Sequence, residues 1–202
     1  MQEKAKKILV FQSDFGLVDG AVAAMYGVAL AIDPTLRLYN LTHDITPYNV
    51  FEASYRLFQS VEYWAEGTVF VSVVDPGVGS DRKSVVAKTS AGQYIVTPDN
   101  GTLTHIKRFI GIDAVREIDE TRHRRKDTQH SYTFHGRDVY ANTGAKLAAG
   151  VITFEEIGPE LPVEGLLELP TGTVDTAEDC VSGCVDILDV RFGSLWTNIP
   201  RE

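Results

Sequence analysis

Apolar and polar positions fall into blocks along this chain, and the period of the pattern changes at each predicted element boundary. Ile8 to Phe11 form a short apolar run that stops at Ser13-Asp14-Phe15-Gly16, with Asp19-Gly20 just beyond. The pattern predicts a strand leading into an acidic, glycine-bearing loop. From Ala21 to Ile32 the stretch AVAAMYGVALAI is rich in helix formers, and Asp33-Pro34 closes it because proline blocks continuation. Arg37 to Leu41 predict a second strand, the loop Thr42-His43-Asp44-Ile45-Thr46-Pro47-Tyr48 follows, and a helix is expected from about Val50 to Trp64. Val69, Phe70, Val71, Val73 and Val74 then make a β-branched run of the kind found in strands covered on both faces. It stops at Asp75, within VVDPGVGSDR. Each of these strands leads into a loop that carries an aspartate, where open α/β sheets form their ligand crevices.

Farther along, Ser84 to Lys88 and Gln93 to Val96 predict a hairpin around Ser90-Ala91-Gly92. Thr97-Pro98-Asp99-Asn100-Gly101 leads to a helix near Leu103 to Phe109, and Ala114 to Ile118 read as a further strand. RHRRKDTQ, from Arg122 to Gln129, is a basic run expected to be a solvated loop. Thr133 to Asp138 precede a small-residue helix from Val139 to Ala149. After Gly150, Pro159, Pro162 and Pro170 mark a connector, and CVSGCVDILDV reads as a strand before the ending DVRFGSLWTNIPRE. The expected fold is α/β, a mostly parallel central sheet flanked by helices, followed by a truncated β-rich C-terminal segment. Residues 1–150 are expected to form the α/β domain, 151–174 a linker and 175–202 the start of a truncated β-rich domain.

Composition narrows the function classes. The 202 residues, 44% of them hydrophobic, suffice for one core plus an appendage. A formal net charge of -9 argues against a partner such as duplex nucleic acid and favours a small neutral or cationic ligand. The basic amino terminus meets Asp14 too soon for a secretion signal, and no run approaches the roughly 20 apolar residues of a membrane span, so no membrane association and a cytoplasmic location are expected. Cys180 and Cys184 fit neither a disulfide framework nor a common zinc pattern and are expected to be reduced, partly buried thiols.

Several chemistries are disfavoured. No glycine-rich turn ends in Lys-Ser or Lys-Thr, DPGVGS carries an acid where phosphate would be repelled, and SDFGLVDG has aspartates in place of dinucleotide-binding glycines. His43-Asp44, His105 and His135 lack any familiar metal-ligand spacing, and no GxSxG elbow is present. The loops suit hydroxyls and positive charge instead. An ionised carboxylate such as Asp14 at a strand end can accept from both hydroxyls of a ribose diol, and Asp14 and Asp19 can also answer a cation.

SDFG with a following Asp, LTHDITPYNV, VVDPGVGSDR, TPDNGTL, TFHGRDV and DVRFGSLWTNI together resemble, in order from about Ile8 to Ile199, the S-adenosyl-L-methionine (SAM) hydroxide adenosyltransferase family, adenosine-forming hydrolases related to the fluorinase and chlorinase. The resemblance implies a substrate-binding and catalytic domain in 1–150. It also implies hydrolysis of SAM to adenosine and L-methionine by in-line attack of water on ribose C5′, with no metal or cofactor. Asp75, Arg82 and His135 match the family's Asp-Arg-His triad. In this reading Asp75 holds the water and accepts its proton, Arg82 orients Asp75, and His135 completes the cage or shuttles the proton. By the same resemblance Asp14 holds the ribose diol, Asp19 and Asp189 lie near the methionine ammonium, Tyr48 packs on the sugar or sulfonium, and Phe134 and Phe192 flank purine and ribose. Ser194 stands where relatives commonly carry Asn to read the adenine edge.

Halogenases of this type carry Tyr at the position of Asp75, and a carboxylate there would repel a halide, so water is the expected nucleophile. The family's trimer builds its active site between one subunit's amino-terminal domain and a neighbour's carboxy-terminal domain, which implies a homotrimer with SAM or adenosine as ligand. The alternatives are a module that binds adenosine or SAM with little turnover, a SAM-dependent halogenase, and an assembly protein with no ligand.

Overall fold

The computed structural model describes residues 7–200, and their contacts divide the chain into two compact units between Glu168 and Leu169. In the first unit the apolar runs become strands β1 (Ile8–Ser13), β2 (Arg37–Thr42) and β3 (Val69–Val73), separated by helices α1 (Ala21–Ile32) and α2 (Val50–Val61). The predicted hairpin forms as β4 (Ser84–Thr89) and β5 (Tyr94–Pro98), followed by α3 (Thr104–Phe109), β6 (Ile112–Glu117) and the short helix α4 (Glu120–His123). A π-helical turn over Gly136–Ala141 runs directly into α5 (Asn142–Ala148), and β7 (Glu160–Leu161) is the last strand of the sheet.

The seven strands lie in the order β2-β1-β3-β5-β4-β6-β7. β1 pairs in parallel with β2 and β3, and β3 with β5. The ladders β4–β5, β4–β6 and β6–β7 are antiparallel. The sheet is therefore mixed rather than mostly parallel. The Ser90-Ala91-Gly92 turn reverses the chain within a hairpin, and β6 adds to that reversed strand instead of crossing over. The parallel half carries the acidic loops.

Period-two alternation between two covered faces explains the apolar runs within β1, β3 and β5. Leu9, Phe11, Val71, Val73 and Val96 pack on one face with Met25 and Ala29 of α1 and Ala145 of α5. Val10, Phe70 and Ile95 pack on the other with Leu57 and Val61 of α2 and Ile106 of α3. Both faces are covered, so positions of either parity along these strands are mostly apolar, and the polar exceptions Gln12, Ser13, Ser72 and Thr97 are themselves buried. Asn49 begins α2 by accepting a hydrogen bond from the Glu52 amide at 3.0 Å, which satisfies one of the free first-turn donors.

The second unit is built of two small antiparallel hairpins, β8 (Asp175–Thr176) with β9 (Val181–Ser182), and β10 (Val185–Asp189) with β11 (Ser194–Thr197). Ile187 is its one buried hydrophobic side chain among the described residues. Cys180 and Cys184 are free and exposed, a correction to the partial burial expected of them, because hairpins this short have little interior in which to place a thiol.

Helix α5 lies close on the sheet because Gly144 has no side chain. A Cβ there would stand 2.5 Å from Val71 Cγ2 and 3.4 Å from Leu9 Cδ1, both in the core. Gly144→Ala is therefore expected to lower the unfolding free energy by about 1–3 kcal/mol, read as an earlier midpoint in urea. An unchanged midpoint would mean that α5 shifts off the sheet freely.

Candidate active site

The acidic loops at the ends of β1 and β2 are tied to each other by hydrogen bonds. Gly16 N donates to His43 O at 2.8 Å, Ser13 Oγ contacts His43 Nδ1 at 2.7 Å, and Tyr48 N donates to Asp14 Oδ2 at 2.8 Å. Gly16 takes a positive φ of 65°, open to glycine, but Tyr48 also sits at φ 65°, in the left-handed region that non-glycine residues avoid. The Asp14 carboxylate accepts from the amide that this conformation presents. Such locally strained residues concentrate where a side chain must be aimed.

Beyond β3 the chain turns through Asp75-Pro76-Gly77, with Val78 N bonded to Asp75 O at 3.3 Å and Gly79 at φ 81°. Asn100, in the loop after β5, braces this turn by donating from Nδ2 to Val74 O at 2.8 Å. The turn brings Arg82 back onto Asp75. Arg82 Nε lies 3.0 Å from Oδ1 and 3.1 Å from Oδ2 of Asp75, while Nη2 binds Oδ2 as well. Both side chains are almost wholly buried, at 10% and 5% exposure. Burial opposes the guanidinium charge, but the hydrogen bonds Arg82 donates to Asp75 and the nearby negative charges outweigh it and hold Arg82 above its ordinary range.

Arg82 Nη2 also stands 2.9 Å from His135 Nδ1. His135 is 4% exposed, and burial together with Arg82 and Arg124 holds it below the usual histidine range against the pull of Glu120 and Asp75. It is the residue before the π turn, a local widening of the helix that recurs at functional sites. Gly136 follows, and a Cβ on it would meet Val73 Cγ1 at 3.1 Å and Phe15 Cζ at 3.2 Å, so glycine lets this helix start press against the strand end.

Asp14, Phe15, Pro47, Tyr48, Val73, Asp75, Val78, Thr133, Phe134, His135 and Gly136 line a single cavity of about 240 Å³. Phe15 and Phe134 meet edge to face at 5.8 Å, and the Arg137 guanidinium lies 4.8 Å from the Phe134 ring centroid while paired with buried Asp138 at 2.7 Å. The result is an apolar wall opposite two fixed carboxylates. A carboxylate has about four acceptor positions, and Arg82 meets Asp75 with two of its N–H-bearing nitrogens, so capacity remains for a water or hydroxyl.

Of the residues singled out from sequence, Asp14, Tyr48, Asp75, Phe134 and His135 line this cavity, with Arg82 directly behind Asp75. Asp19 stands outside the lining and accepts from the Ala21 amide at 2.8 Å at the start of α1. Asp189, Phe192 and Ser194 belong to the second unit, where Asp189 Oδ1 accepts from the Arg191 and Phe192 amides at 3.1 and 3.2 Å and Ser194 pairs with Asp189 across the hairpin. His105 lies apart, packed against Phe51 and Tyr55, with Nδ1 2.8 Å from Ser54 Oγ. Among the described residues no group of three or more His, Cys, Asp or Glu gathers as a metal site.

Within the basic run Arg122, Arg125, Lys126 and Gln129 are exposed as expected, but one arginine departs from that expectation. Arg124 is not solvated: its side chain is 8% exposed, and Nη2 reaches Glu120 Oε2 at 2.6 Å and His135 Nε2 at 3.0 Å. Ser84 Oγ donates to Glu120 Oε1 at 2.9 Å and lies 3.2 Å from the Tyr140 hydroxyl. The four-residue spacing of Glu120 and Arg124 was the available signal, masked by the charges around it.

Residues 9–158 match the family model described as SAM hydroxide adenosyltransferase N-terminal domain. A protein of Methanocaldococcus jannaschii named (R)-S-adenosyl-L-methionine hydrolase is 38% identical over 151 residues, which cover 73% of this chain and 55% of that one. One of the same name from Salinispora arenicola is 38% identical over 200 residues, 95% of this chain and 75% of that one. The crystal structure of an uncharacterized conserved protein from Thermotoga maritima superposes with a TM-score of 0.88 at 36% identity, over 95% of this chain and 71% of that one. This chain thus spans between about half and three quarters of the length of the proteins it matches. With most of its residues matched by that model and its strand-end cavity formed from the model's own segment, the chain belongs to the SAM hydroxide adenosyltransferase family.

Proposed function

We propose that this protein hydrolyses S-adenosyl-L-methionine to adenosine and L-methionine by in-line attack of water on ribose C5′. The observation that carries this reading is the buried Asp75–Arg82 pair on the wall of a cavity shared by Asp14, Tyr48 and Phe134. In the proposed step a bond forms between the water oxygen and C5′ while the C5′–S bond breaks, and methionine departs with the electron pair as a neutral thioether. The positive charge of the sulfonium is thereby lost and one water proton is released. Because the leaving group is neutral, the chemistry calls on no metal or redox group. What the protein supplies is position, a dry wall and an acceptor for the proton.

Asp75 is the residue with the geometry to hold the water. Arg82 keeps its carboxylate in one orientation through charge-assisted hydrogen bonds, and His135 closes the far side. Asp14 has one oxygen engaged by the Tyr48 amide and the other available to a ribose hydroxyl, while the Tyr48 ring, exposed at the cavity mouth, suits a sulfonium through cation–π attraction. Phe134 offers a face for the base or sugar. Asp19 and Asp189 are assigned to the methionine ammonium, Phe192 to the purine and ribose, and Ser194 to the adenine edge, on the family resemblance alone. On the same basis we take the protein to be a cytoplasmic homotrimer.

Asp75→Asn is expected to lower kcat by about 10²–10⁴-fold while adenosine binding by calorimetry persists, because the acceptor is lost but the wall is kept. Undiminished adenosine release, followed by chromatography, would remove Asp75 from the mechanism. Asp14→Ala is expected to raise KM about tenfold or more, since a hydrogen bond to a charged group contributes about 1.5–3 kcal/mol. Products formed with chloride or fluoride present should remain adenosine and methionine. A 5′-halogenated nucleoside would instead identify a halogenase, and binding with no product at all would identify a binding module.

A further inference from the structure

The basic run that looked like a solvated loop sends one arginine into the site. Arg124 completes a closed ring of contacts: Arg82 Nη1 reaches Ser84 Oγ at 3.3 Å, Ser84 donates to Glu120 at 2.9 Å, Arg124 bridges Glu120 to His135 Nε2, and His135 Nδ1 returns to Arg82. Arg124 also donates from Nη1 to Ser131 O at 3.0 Å, which ties the loop before His135 to the same residue. The cavity-lining carboxylate of Asp75 hangs from this ring through Arg82.

We propose that Arg124 is a positioning residue for this site: paired with Glu120 and set against the ring nitrogen that Arg82 does not face, it holds His135 as a neutral imidazole in one orientation, so that the proton released in hydrolysis passes to Asp75 and not to His135. The destination of the proton rests on the function proposed above; the state of His135 does not.

Donor counting supports this. A guanidinium only donates, and a neutral imidazole carries one lone pair on its two nitrogens. With Arg82 Nη2 at 2.9 Å from Nδ1 and Arg124 Nη2 at 3.0 Å from Nε2, one nitrogen accepts a hydrogen bond and the other already sets an N–H against a cation. An imidazolium would set an N–H against a cation at both. Charge counting agrees. The groups facing His135 are Arg82 and Asp75 from the loop after β3, Glu120 and Arg124 from α4 and the residue after it, and the Tyr140 hydroxyl side chain, its ring 6.4 Å from the imidazole. Burial keeps the Tyr140 hydroxyl protonated, so the two carboxylates already balance the two guanidinium groups. A third positive charge, on a residue 4% exposed, would have no counterion. Each ring nitrogen faces a guanidinium and the single lone pair is already accepting, which leaves none through which His135 could take a proton.

The test is the titration of the His135 ring by nitrogen and carbon NMR on the full chain, with its signals assigned by their loss in His135→Gln. In the native protein they should stay those of a single neutral tautomer from pH 8 to 5.5. In Arg124→Gln the cation is gone while Glu120 remains, and His135 should titrate with a midpoint raised by at least about one unit. The acid limb of the kcat profile should move up with it, KM unchanged, and Arg124→Lys should restore the native behaviour. Arg124→Met, which removes the same cation but keeps an apolar stem, should raise the midpoint likewise and serves if Arg124→Gln folds poorly. An ordinary histidine titration in the native protein, or a lower melting temperature in Arg124→Gln with His135 unmoved, overturns the proposal. Altered His135 signals in a protein that never releases adenosine would sink the proposed hydrolysis while leaving the positioning role standing.

Discussion

The structure turns on placing a carboxylate at the end of a strand that is buried on both faces. β3 is buried along its length, and apolar but for Ser72, because helices cover the parallel sheet on either side, and Asp75 emerges where that cover ends. A carboxylate with 5% of its side chain exposed needs a cation, and the Asp75-Pro76-Gly77 turn with left-handed Gly79 brings Arg82 back within reach. Removing either partner would strand a buried charge, at a cost of about 3–5 kcal/mol. Asn100 braces the turn from the neighbouring strand end, so the pair is fixed by two separate segments of chain.

Charge placed so deeply propagates. Once Arg82 is committed to Asp75, its remaining donors meet His135 and Ser84, and these recruit Arg124 and Glu120. The Asp14 loop is handled differently, by backbone amides from Gly16 and Tyr48 and by the buried His43–Ser13 contact, with no cation involved. One carboxylate of the cavity is therefore paired with a cation and the other is held by a backbone amide. That difference suits the two roles proposed for them: a proton acceptor held in one orientation, and an acceptor for sugar hydroxyls.

The strands and helices of the first unit were largely legible because their signals are local: apolar runs for β1 and β3, the Ala21–Ile32 helix stopped by proline, and the Ser90-Ala91-Gly92 hairpin. Asp14, Tyr48, Asp75, Phe134 and His135 were visible as loop residues at strand and helix ends, and they do share a cavity. Less legible was the pairing order of the sheet, since whether β6 adds beside β4 or crosses over depends on which faces the helices cover. The π turn after His135 has no compositional signature, and Gly136 and Gly144 look like ordinary glycines until the atoms they admit are in place.

By itself the amino-acid sequence determined the strand ends, the acids they carry and the turn chemistry that exposes them, because these follow from propensities over a few residues. Only the tertiary structure decided which charges meet. Arg124 sits in a basic run whose composition reads as solvent-facing, yet with Glu120 it closes the ring around His135, which lies 53 residues from Arg82 along the chain. Burial and pairing of ionised groups depend on what other segments bring near them, and that information exists only once the chain is folded.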